Sequence, residues 1–161
     1  MTNSGTLIFF CGKMGSGKST KAEQVTSERN AVLISEDDWL AALYAGDISS
    51  FDDYLHYSKR LRPLVQAHVE KLLRAGTDVV MDFPANTRRQ REWFKQLFTN
   101  AEAPYVFYYL QASDELCLQQ IAQRQIEQPQ RVAFDTEAVF NQVNKYFEAP
   151  HESEGLEIRS E

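Results

Sequence analysis

The stretch Gly12-Lys13-Met14-Gly15-Ser16-Gly17-Lys18-Ser19 constrains this chain more than any other feature. It satisfies the phosphate-loop pattern G-x-x-x-x-G-K-[ST] in full. The apolar run Thr6 to Cys11 before it has strand length, and Ser19 to Glu28 after it reads as a helix free of Gly and Pro. A glycine-rich turn between such elements lets successive backbone N–H groups converge on phosphate oxygens. The helix N-terminus behind them adds partial positive charge. Gly12, Lys13, Met14, Gly15, Ser16, Gly17, Lys18, Ser19 and Thr20 are therefore the expected ATP-binding residues. Lys18 is placed to reach the outer phosphates, and the Ser19 hydroxyl to hold Mg²⁺.

The rest of the chain alternates strand and helix signals. Ala31 to Ile34 reads as a second strand, Asp78 to Asp82 as a third and Tyr105 to Leu110 as a fourth; a weak fifth is centred on Leu156 to Ile158. Ser35 with Asp38, and Thr87 with Gln90, have the spacing of capping boxes, and Ser113 is a further cap. A long helix is expected from Asp52 to Ala75, closed by Gly76, with Pro63 kinking or dividing it. A last helix should start at Asp135-Thr136 and carry Phe140, Val143 and Phe147. This alternation predicts an α/β fold, a parallel sheet of four or five strands with helices on both faces. The ligand of such a sheet lies at the carboxyl ends of its strands. That rule gathers the phosphate loop, Asp37 and Asp38 after strand two, and Asp82 after strand three. The aromatics of strand four are expected to be sheet core.

Composition narrows the function. A chain of 161 residues with 43% hydrophobic content suits one globular domain, residues 1–161. The formal charge of −6 disfavours nucleic acid as a partner, though a local basic groove stays open. Two cysteines and three scattered histidines offer no zinc spacing and suit a cytoplasmic, reducing location. No run approaches membrane-spanning length. A guanine-reading N-K-x-D is missing, because Asn144-Lys145 is followed by Tyr146-Phe147. The extra domains of large mechanical ATPases find no room. A small kinase or an ATP-binding switch acting through a protein partner remains.

Gly12 to Thr20, Ile34-Ser35-Glu36-Asp37-Asp38-Trp39, and Val79 to Asp82 with Asn86, Arg88, Arg89, Arg91 and Trp93 together resemble the polynucleotide 5′-hydroxyl kinase and zeta-toxin kinases. Phe134-Asp135, Phe147 to Pro150 and Glu154-Gly155-Leu156 are similar to a bacterial ATP-binding, AAA-type branch of that group. The resemblance implies a three-layer P-loop NTPase fold of nucleoside-kinase type, with ATP and Mg²⁺ as cofactors. It places the catalytic base on Asp37 and a metal- or acceptor-holding carboxylate on Asp82. It also puts catalytic arginines, Arg124 and Arg131, in a lid around residues 124–135. The arginine found near the acceptor in the polynucleotide kinase is replaced by Leu40, which points to a small-molecule or nucleotide-like acceptor over a polynucleotide. Arg88, Arg89 and Arg91 sit where the helix dipole opposes positive charge. They read either as an anion contact, with Arg88 binding substrate, or as a solvated helix face.

Overall fold

The computed structural model describes residues 3–129 and 136–161. Strands β1 (Leu7–Cys11), β2 (Val32–Ser35), β3 (Val79–Pro84), β4 (Tyr105–Tyr109) and β5 (Ile158–Ser160) form one parallel sheet in the order β2-β3-β1-β4-β5. Helices α1 (Lys18–Arg29), α2 (Glu36–Leu43), α3 (Phe51–Arg74), α4 (Arg88–Asn100), α5 (Asp114–Glu127) and α6 (Glu137–Asn144) connect and cover it.

Period-two alternation on β1 splits the core between two faces. Leu7, Phe9 and Cys11 pack with Val65 and Val69 of α3 and Phe94 and Leu97 of α4, while Ile8 and Phe10 pack with Ala22 and Val25 of α1. All five β1 residues are fully buried, as the middle of a three-layer sandwich requires. Phe9 stacks between Phe94 and Phe107, with centroids 4.5 and 4.6 Å away. Each such ring contributes about 1.5–3 kcal/mol by burial, plus a smaller stacking gain. The strand-four aromatics are indeed sheet core.

Local signals set the helix starts. The Thr87 side chain accepts the Gln90 N–H and the Gln90 side chain accepts the Thr87 N–H, a complete capping box. Ser35, Ser50, Ser113 and Thr136 each cap one helix through their hydroxyls. At Ser35 only the hydroxyl half forms; Asp38 supplies its N–H and its side chain stays exposed. Pro63 does not divide α3, which runs as one helix from Phe51 to Arg74. The proline faces solvent, while Leu61, Val65, Val69 and Leu73 form an unbroken buried stripe opposite. The carbonyl that Pro63 leaves unbonded can therefore be hydrated. Helix α6 ends at Asn144, so Phe147 lies beyond it, and β5 begins at Ile158, leaving Leu156 as a core contact.

Candidate active site

Strand β1 runs into the phosphate loop, and α1 leaves it with Gly17 as N-cap. Helix α1 has no side-chain cap and no acid in its first turn, whereas α2 to α6 each have a side-chain cap. Its first N–H groups are thus left for an external acceptor, and the positive end of its dipole is not neutralised. The Ser16 Oγ is buried without a protein partner, a donor that a phosphate oxygen would satisfy. The loop is also tight. A Cβ on Gly12 would lie 2.4 Å from Ser16 Oγ, and one on Gly15, at φ 76°, 2.4 Å from the Cys117 carbonyl of α5. Met14 packs beside Cys117, Ile121 and Phe140, and the Lys13 ammonium pairs with Asp114 at 2.9 Å and lies 5.0 Å over the Phe147 ring. Thr20 is exposed in the first turn of α1. These residues fit a polyphosphate.

The strand ends bring the acidic groups to the same edge. Asp82 of β3 accepts the Ser19 hydroxyl at 2.8 Å and lies 4.0 Å from the Lys18 ammonium. A phosphate-loop hydroxyl beside a strand-end carboxylate is the pair that shares Mg²⁺ with nucleotide phosphates in such folds. The register pairs Ser35 with Asp82, so α2 starts next to that carboxylate. Asp37, half-buried, is in its first turn. Leu40 lies in the core at 3% exposure, so its position presents no side chain to an acceptor.

Glu36 was not legible as a site residue. It is 3% exposed, and its two carboxylate oxygens accept the hydroxyls of Tyr54 and Ser58 from α3. Burial pushes its carboxyl above the ordinary glutamate value; the two hydroxyls and the Lys18 charge pull it down, and Asp37 pushes it up. Asn86 is the second omission. Its Oδ1 accepts the Gly12 N–H at 2.9 Å. A Glu directly after a buried strand, and an Asn directly before a capping box, were the available signals.

The arginines divide. Arg91 is not on a solvated face: it is 1% exposed and pairs with buried Glu154 at 2.7 and 3.0 Å, with Nη1 donating to the Ala85 carbonyl. Its anion is internal. Arg88 donates to the Ser153 hydroxyl at 2.9 Å, and its backbone N–H to Glu148. Arg124 sits in the last turn of α5, while Arg131 and the second half of the expected lid, residues 130–135, lie outside the described residues. Cys11 and Cys117 are free and buried; burial pushes the Cys11 thiol up to about 12, so it is no nucleophile.

A cavity of about 190 Å³ adjoins the loop, lined by Lys13, Tyr109, Gln111 and Phe147 among others. A larger groove runs along α4 past Arg89, Trp93 and Asn100 and contains none of the groups above. No helix among the described residues is long and apolar enough to cross a membrane.

No curated protein matches this chain. Among solved structures, a candidate kinase from Chloroflexus aurantiacus superposes with a TM-score of 0.79 at 16% identity, covering 98% of this chain and 87% of that one. The APS kinase CysC of Mycobacterium tuberculosis, solved with AMPPNP and APS, gives 0.56 at 19% identity over 80% of this chain and 72% of that one. A chain of the Pnkp1/Rnl/Hen1 RNA repair complex gives 0.66 at 22% identity, covering 92% of this chain and 48% of that one. These likenesses establish the P-loop kinase-like fold. The model of the AAA domain family AAA_33 matches residues 7–150, from the first residue of β1 to Pro150 beyond α6, and the chain belongs to that family.

Proposed function

We propose that this protein is an ATP-dependent phosphotransferase that moves a phosphoryl group to a hydroxyl of a small-molecule or nucleotide-like acceptor. The observation that carries the reading is the junction of Lys18, Ser19 and Asp82 at an uncapped helix N-terminus, with Asp37 one strand away. The backbone N–H groups of the loop and the Ser16 hydroxyl bind phosphate oxygens, and Lys18 neutralises charge on the outer ones. Ser19 and Asp82 would hold Mg²⁺, which supplies further charge neutralisation when bound. Asp37 accepts the proton of the acceptor hydroxyl, and Glu36, clasped by Tyr54 and Ser58, fixes the helix turn that presents it. Arg124, in the last turn of α5, and Arg131 would neutralise charge on the transferring phosphoryl group, within one domain spanning 1–161. Such sites work by positioning and electrostatics.

The acceptor class follows from charge. Arg88, Arg91 and Lys95 are engaged within the chain, which removes three of the four cations that α4 could offer a polynucleotide. The cytoplasm, reducing and rich in ATP, suits two free cysteines. The APS kinase likeness supports a kinase with a nucleotide-like acceptor.

The test is transfer of labelled γ-phosphate from Mg·ATP into a metabolite extract, with and without 5′-hydroxyl RNA and DNA. Wild type and Asp37→Ala run side by side. A labelled small product with wild type alone is expected. Label on the oligonucleotides would move the acceptor to nucleic acid. Free phosphate in equal amount from both proteins would replace the kinase with an ATP-driven switch.

A further inference from the structure

The first turn of the phosphate loop, at Gly12, is held by the protein itself. Asn86 stands at that point, and every backbone and carbonyl polar group it owns goes to a different segment. Its backbone N–H donates to the Gln90 side chain at 2.8 Å, inside the capping box of α4. Its backbone carbonyl accepts the Glu148 N–H at 2.9 Å, from the segment after α6. Its Oδ1 accepts the Gly12 N–H at 2.9 Å. Because the Gly12 N–H can only donate, the orientation of the Asn86 amide is fixed by chemistry. Gly12 is buried, so without Asn86 its N–H would be stranded.

The segment that reaches Asn86 is itself anchored. Glu154 is clamped by Arg91, its carbonyl accepts the Lys95 ammonium at 2.8 Å, and Ser153 accepts Arg88. One residue before Glu148, Phe147 lies under the Lys13 ammonium. The loop is thus held from one side by the segment after α6, through Asn86 at Gly12 and through Phe147 at Lys13.

We propose that Asn86 is a positioning residue of the nucleotide site. Its Oδ1 fixes the first turn of the phosphate loop and ties the loop's geometry to α4 and to the segment around Glu148. The inference rests on the nucleotide reading and needs no knowledge of the acceptor. Loop geometry serves the β-phosphate as much as the γ-phosphate, so the effect falls on ADP and ATP alike.

The experiment titrates Mg·ADP and Mg·ATP calorimetrically into wild type, Asn86→Ala and Asn86→Asp, in about 0.3 M salt to screen the charge the aspartate adds. Hydrogen exchange of the peptide spanning Phe10 to Gly17 is followed in parallel. Asn86→Ala should weaken both nucleotides about tenfold and raise exchange in that peptide. Asn86→Asp keeps an acceptor for Gly12, so ADP binding should stay within about threefold of wild type with exchange still slow. Wild-type affinity in Asn86→Ala, or Asn86→Asp as weak as the alanine variant, would overturn the assignment. Should the alanine variant fail to fold, the aspartate variant decides by the same criterion. No binding by wild type itself would instead refute the nucleotide reading.

Discussion

Replacing Arg91 by methionine tests the packing that underlies the site. The guanidinium is 1% exposed and makes two hydrogen bonds to Glu154, at 2.7 and 3.0 Å, one to the Ala85 carbonyl and a longer one to the Ala149 carbonyl. Methionine fills much of the volume, so the loss isolates charge and hydrogen bonding. Removing one partner of a buried pair leaves the other charge uncompensated and costs about 3–5 kcal/mol. At about 2–4 °C per kcal/mol for a chain of this size, Tm should fall by about 6–20 °C. The assay is urea unfolding followed by Trp39 and Trp93 fluorescence, with Glu154→Gln and the double variant completing a cycle. The double variant should lose at least about 2 kcal/mol less than the sum of the single ones, because the stranded charge is gone. The acid limb adds a second sign. Burial pushes the Glu154 carboxyl up, but Arg91's hydrogen bonds and charge, with the His151 N–H, outweigh it and hold it below the ordinary glutamate value. The pair's contribution is therefore present above that ordinary value and lost as pH falls through the lowered one. A single-variant cost below about 1 kcal/mol, or strict additivity, would refute the reasoning.

Glu36 should show the opposite pH sign. Its carboxyl is raised by burial, so wild type loses stability as pH rises from the ordinary glutamate value through the raised one; Glu36→Gln should flatten that limb in unfolding titrations, and Glu36→Ala should not fold more stably than wild type at any pH. Gly15→Ala places a methyl 2.4 Å from the Cys117 carbonyl at φ 76°, so Mg·ATP binding measured by calorimetry should fall at least tenfold with Tm also reduced. Lys18→Ala should keep the apo melting temperature within a few degrees yet lose the upward shift that saturating Mg·ATP gives wild type; a retained shift would place the nucleotide elsewhere.

What could be read in the chain was what is local. The phosphate loop and the caps at Ser35, Thr87, Ser113 and Thr136 depend on residues within four positions of one another, and all form, the Ser35 box in its hydroxyl half alone. The sheet edge that collects the loop, Asp37 and Asp82 followed from the alternation of strands and helices alone. Failures came where a distant residue decides. Arg91 at a helix start reads locally as an anion contact or a solvated face, yet its partner Glu154 is brought to it by tertiary folding. Pro63 looked like a break, because nothing local says which face of α3 will meet solvent. Glu36 and Asn86 stand in stretches that carry the family resemblance, but nothing local gives them a role, because their partners Tyr54, Ser58 and Gly12 lie on other elements.

The sheet order carries a kinetic consequence. Strand β1, which opens into the phosphate loop, has no sequence-near neighbour: Leu7 pairs with Val79 on one side and Tyr105 on the other. A long loop must close before β1 is held on either edge, and that entropy is spent before the pairing rewards it. The nucleotide cradle is consequently among the last parts of the molecule to take shape. A ligand that recognises only the completed cradle has nothing to grip in the folding transition state. It should leave the refolding rate unchanged and act as a brake on unfolding alone.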